Sequence, residues 1–146
     1  MSKILKKNYL LLILPILFTF TVQLEAHRLS ETPTEFLVNG HKAFVLKAEK
    51  PALGNPWVWY APTLARHPDK SHTWYIEQLL AKGISVAGCD LGEVRGSPRS
   101  VAEFTRFYEE MLKLGYSKKP LLLGQSRGGL MMLSWAVKNP EKVKGF

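Results

Sequence analysis

Ser126 stands between glycines in residues 119–135, KPLLLGQSRGGLMMLSW, as Gly124-Gln125-Ser126-Arg127-Gly128. A serine hydroxyl held clear of its neighbours is a nucleophile for acyl transfer, provided a base lies within hydrogen-bond reach to take its proton. The spacing alone says little, since composition produces Gly-x-Ser-x-Gly by chance in roughly 5% of chains of this length. Its flanks say more: an apolar run precedes the motif and an apolar helical pattern follows it. A nucleophile elbow needs that strand-turn-helix setting, because the serine takes a strained backbone conformation on a sharp turn. Gly124 and Gly128 supply room at the turn, Gly129 is expected to let the helix pack closely on the sheet, and the helix N-terminus favours negative charge beside the serine. The bland alternative is a Gly-rich connection with an idle serine.

Partners for Ser126 are scarce. Only 20 residues follow it, with no histidine and with Glu141 as the one carboxylate. His27, His41, His67 and His72 all precede it. Of these, His67 and His72 fall in a loop and a helix start from which a ring could approach a cleft, although a surface-loop histidine is the simpler reading. Asp90 ends a strand, where it could face a ligand or cap a loop. Gln125 could touch a substrate or bond to nearby backbone.

The elements that must position these groups are legible from patterning. EFLVNGHKAFVLKAEK carries two apolar runs around Asn39-Gly40, the signal for a tight hairpin. WVWYA reads as a central strand, ISVAGCDL as a second buried strand and KPLLLG as a third. HTWYIEQLLAKG is a helix with Ser71 as expected N-cap and Gly83 as stop. SVAEFTRFYEEMLKLG is amphipathic, with Val101, Phe104, Phe107, Tyr108, Met111 and Leu112 on one face, Ser100 and Glu103 as a capping box and Gly115 as stop. KVKGF begins another strand. Strands alternating with helices imply an α/β fold, a mostly parallel sheet with helices on both faces.

With these motifs in order, residues 35–146 resemble the α/β-hydrolase superfamily, and most nearly its secreted bacterial esterase-like members, through WVWYAP, ISVAGCDLGEVRGSP and LLLGQSRGGLMMLSWAVKNPEKVKGF. The resemblance implies Ser126 as nucleophile and the backbone N–H of Arg127 as one oxyanion-hole donor. It places the second donor in the loop after WVWY. Pro62 has no N–H to give, which makes Thr63 the first choice and Ala61 or Leu64 the alternatives. The usual His-Gly of this loop is absent. The resemblance also puts the acid and the histidine after the serine. The chain therefore reads as the N-terminal part of a longer hydrolase, truncated after the elbow and its helix, inactive alone and exposing a strand edge and helix faces.

The remaining features bound the function. Residues 1–26 have the lysines, apolar core (9–20) and small Ala26 of a signal peptide, with 27–34 as a linker, so the expected location is secreted or periplasmic. The apolar core is shorter than the roughly 20 residues of a bilayer span and contains Pro15, so no membrane association is expected after cleavage. A net charge of +8 stays basic without the leader, but the cations are scattered and do not suggest nucleic acid. Cys89, the single cysteine, lies in an apolar stretch and reads as a core thiol. The expected reaction needs no metal or cofactor. Its substrate is a small ester or, if the protein is a serine peptidase of the prolyl-oligopeptidase kind, a peptide. A fragment without catalysis is the third reading.

Overall fold

The computed structural model describes residues 32–65 and 68–146. The leader, His27 and His67 lie outside the described residues. Five strands form one sheet: β1 (Thr34–Val38), β2 (His41–Leu46), β3 (Trp57–Ala61), β4 (Ser85–Cys89) and β5 (Leu121–Gly124), in the order β1-β2-β4-β3-β5. Three helices accompany them: α1 (Thr73–Ala81), α2 (Pro98–Lys113) and α3 (Arg127–Lys138). The sheet is mixed. β3 runs parallel to both β4 and β5, whereas β1 pairs antiparallel with β2 and β2 with β4. Asn39 and Gly40 take φ of 49° and 81° and close the β1–β2 hairpin, with Val38 opposite His41. Positive φ at both central residues gives the turn a twist that matches the strands.

Every residue of β3 is buried because both sheet faces are covered. Alternation sends Trp57, Trp59 and Ala61 to one face and Val58 and Tyr60 to the other. The first face packs on α2 and α3 through Phe104, Phe107, Met131, Met132 and Trp135. Trp59 is its hub, with ring centroids 4.8 Å from Trp135 and 5.1 Å from Phe107. The second face packs on Ile76, Tyr75, Leu79 and Leu80 of α1. Cys89 is buried in the first cluster, as its apolar context predicts.

Two helix starts differ from expectation. Ser71 is not an N-cap. A short 3-10 turn, Lys70–His72, precedes α1, and Asp69 caps it by accepting from Ser71 N–H at 2.8 Å. Nor does Ser100 cap α2. That role falls to Ser97, whose hydroxyl accepts from Ser100 N–H at 3.2 Å, with Pro98 in the first turn where a missing N–H costs nothing. Glu103 instead accepts from Asn39 Nδ2 at 2.8 Å.

β5 is also less enclosed than its apolar residues predict. Leu122 is buried, but Leu123 is 36% exposed. Beside it the chain returns at Gly145, whose carbonyl accepts from Leu122 N–H at 2.9 Å, so KVKGF begins parallel pairing there. The outer face of α3 leaves Leu130, Leu133 and Val137 exposed.

Candidate active site

Ser126 lies between β5 and α3, at the N-cap position of α3, with φ 52° and ψ −122°. A serine that caps a helix sits in the extended region and accepts a hydrogen bond from the first turn, as Ser97 does. Ser126 does neither, and its side chain makes no capping hydrogen bond. Its conformation costs on the order of 1–3 kcal/mol and persists only because the surroundings fix it. Some of that fixing is backbone. Gln125 N–H donates to Ala61 O at 2.8 Å, Gly128 N–H to Gln125 O at 2.8 Å and Gly129 N–H to Ser126 O at 3.0 Å.

Room at the turn comes from particular glycines. A Cβ on Gly124 would meet Gly129 Cα at 2.5 Å. One on Gly128 would run into Ala61 and Pro62 backbone atoms at less than 3.0 Å. At Gly129 a Cβ would find only Gly124 O, at 3.7 Å, an ordinary contact. The close approach of α3 expected of Gly129 therefore belongs to Gly128, on the helix face turned to the end of β3.

Ser126 opens on a small cleft of about 170 Å³ lined by Pro62, Leu64, Glu93, Gln125, Ser126 and Arg127. The Arg127 guanidinium pairs with the Glu93 carboxylate across it. Leu64 lines this cleft, whereas Thr63 lines the adjoining hollow and turns its hydroxyl to Tyr60 O at 3.2 Å. Gly88 of β4 makes space for that threonine, since a Cβ there would strike its Oγ1. Ala61 is fully in β3, and its carbonyl is taken by Gln125. Asp90 accepts from Gly92 N–H at 2.8 Å and so caps its own loop.

The arrangement contains a group that sequence alone did not single out as a unit. His72 is 3% exposed. Its Nδ1 lies 2.8 Å from Asp69 Oδ1, and its Nε2 lies 2.8 Å from Gln125 Oε1 and 3.0 Å from the Tyr60 hydroxyl. Hydrogen bonds from Ser71, and then the His72 ring, hold the Asp69 carboxyl down at about 2. Burial, with the Asp69 charge, pushes the Tyr60 phenol up to about 12, so it keeps its proton. The Asp69 backbone N–H also donates to Nδ1, at 3.1 Å, so Asp69 holds the ring from this side through both its main chain and its carboxylate. Among the described residues no cluster of His, Cys, Asp or Glu is placed to hold a metal ion.

A parallel β4-β3-β5 core, an antiparallel hairpin on one side and helices on both faces also describe a set of solved hydrolases. Est1E from Butyrivibrio proteoclasticus superposes with a TM-score of 0.57 at 15% identity over 77% of this chain and 48% of its own. This is the α/β-hydrolase fold. A cold-adapted esterase from an Arctic intertidal metagenomic library matches with a TM-score of 0.55 at 17% identity, over 78% of this chain and 57% of its own. Epoxide hydrolase VrEH1 from Vigna radiata matches with a TM-score of 0.54 at 20% identity, over 78% and 36%. The chain thus spans between about a third and three fifths of these α/β-hydrolase structures. No protein-family model and no curated protein sequence matches it.

Proposed function

We propose that this chain carries the nucleophile of a serine hydrolase acting on carboxylic esters. The observation that supports the reading is the Ser126 backbone: a serine at the head of a helix, at positive φ, that does not cap the helix and borders a cleft. A structural serine gains nothing from that strain.

In the proposed reaction Ser126 Oγ attacks the ester carbonyl carbon and gives its proton to a histidine base. The carbonyl oxygen becomes an oxyanion and accepts from the Arg127 N–H and from a second N–H in the loop after β3, at Thr63 or Leu64. The tetrahedral intermediate collapses, the C–O bond to the alcohol breaks, and the histidine returns the proton to the leaving oxygen. Water then repeats the sequence on the acyl-enzyme. We assign the base and its acid to chain beyond Phe146, in the order the resemblance implies, because the Nε2 of His72 is engaged by Gln125 and Tyr60. Export through a leader cleaved near residue 26 belongs to the same proposal.

A fluorophosphonate tests it, since labelling needs an activated serine. The full-length protein is expected to label at Ser126 and to hydrolyse short-chain activated esters, and Ser126→Ala to lose both, with a rate loss on the order of a million-fold. Residues 1–146 alone are expected to match their Ser126→Ala variant. Faster cleavage of peptides than esters would move the assignment to a peptidase. Serine-dependent turnover by residues 1–146 would place the base upstream, with His67 and His72 the first to mutate.

A further inference from the structure

Strain at Ser126 must be opposed by its neighbours, and the backbone bonds of the turn are joined by a side-chain tether at Gln125, whose Oε1 lies 2.8 Å from His72 Nε2 and also accepts, at the longer distance of 3.5 Å, from the Tyr60 hydroxyl. Gln125 is exposed and precedes the serine, yet its amide reaches a ring that is almost wholly buried. That ring is itself held on its other side by Asp69 and flanked edge-on by Tyr60 and Tyr75, at 5.4 Å and 5.8 Å between centroids. Either end of the Gln125 amide can meet Nε2: the NH2 donates to a neutral ring, and the oxygen accepts from a protonated one. Asp69 orients the imidazole, the imidazole fixes Gln125, and Gln125 is bonded through its own N–H to the end of β3.

We propose that His72, oriented by Asp69, is a positioning residue that holds Gln125 and through it keeps Ser126 in its strained conformation. The proposal rests on the reading of Ser126 as nucleophile, but its first test does not. The conformation is read by NMR, from the Ser126 Cα and Cβ shifts, which report φ and ψ. His72→Leu and Gln125→Ala are expected to move these shifts alike, and His72→Gln, whose amide can still bond to Gln125, to bring them back. Gln125 is exposed, so Gln125→Ala carries the test if His72→Leu does not fold. Unchanged shifts in the variants would overturn the proposal.

The second test is a double-mutant cycle on fluorophosphonate labelling of the full-length protein. Each single variant is expected to slow labelling about tenfold, as the loss of one hydrogen bond would. The double variant is expected to be no slower than either, because both cut the same tether. A merely structural histidine would lower the melting temperature and give additive effects, which would refute positioning. Absence of labelling in the wild type would count against the proposed function alone, with the NMR shifts still deciding the tether.

Discussion

Alanine at Gly128 and alanine at Gly129 should have opposite effects on stability. Both residues lie in the first turn of α3, so both substitutions gain helix propensity, up to about 1 kcal/mol each. They differ in what the new methyl meets. At 128 the nearest atoms are Ala61 O, Ala61 C and Pro62 N, all backbone and all closer than 3.0 Å. Backbone cannot rotate aside, so the helix or the end of β3 must move. Overpacking of this kind costs about 1–3 kcal/mol, and rigid neighbours put the cost at the upper end. At 129 the single neighbour is 3.7 Å away and nothing has to move. Because the propensity gain is common to both, the gap between the two variants isolates the clash, at about 3 kcal/mol. For a domain of this size that gap is roughly 15 °C in melting temperature. Urea and thermal unfolding followed by far-ultraviolet circular dichroism should place Gly129→Ala slightly above the wild type and Gly128→Ala well below it. Equal midpoints would mean that α3 does not seat on β3 through Gly128, and the account of the elbow would fail with it.

Other outcomes follow from the same geometry. Ser126→Gly should be more stable than Ser126→Ala by about 1 kcal/mol in urea unfolding, because glycine relieves the positive φ and gives back only part of that gain in chain entropy. The Asp69 carboxyl is lowered from 3.8 to about 2 in the folded chain, so its contribution is complete above the unfolded value and lost as pH falls from about 4 through about 2. Urea midpoints measured across that window should fall less steeply in Asp69→Asn than in the wild type. Burial pushes the Cys89 thiol up to about 12, so iodoacetamide at neutral pH should modify it only under unfolding conditions, as read by mass spectrometry. Mass measurement of the exported protein should show loss of about 26 residues.

What the sequence made legible was what short-range pattern determines. Asn39-Gly40 fixed a hairpin, the unbroken apolar run of WVWYA marked a strand covered on both faces, and the strand-glycine-helix succession located the turn that carries Ser126. The misplaced caps were readable too, but from other letters. In GSPRS two serines compete, and Pro98 decides for Ser97 because proline belongs in the first helical turn. In PDKSH, Asp69 stands three residues before His72 and reaches forward to accept from Ser71 N–H, a capping role assigned instead to Ser71. Burial of β5 was overstated because apolar letters in a strand do not say whether a neighbour lies on each side. The His72–Gln125 bond could not be read at all. Its partners are 53 residues apart, and no period or motif links a helix start to the residue before Ser126.

The pairing of β3 with β5 has a consequence for how freely this chain can change. Ala61 lies opposite Gly124, and the next hydrogen bond runs from Gln125 N–H to Ala61 O. The turn that carries Ser126 and the loop that faces it therefore leave the sheet from the same rung of one ladder. Their separation is set by the spacing between neighbouring strands, about 4.8 Å, a length the backbone dictates whatever side chains it bears. Substitutions along either strand can alter packing without altering that distance. A one-residue slip would turn every side chain of the strand to the opposite face. Sequence can drift far under such a rule, while the alignment of two strand ends cannot. Identities of 15–20% with hydrolases of the same architecture are what a fold anchored in main-chain pairing permits.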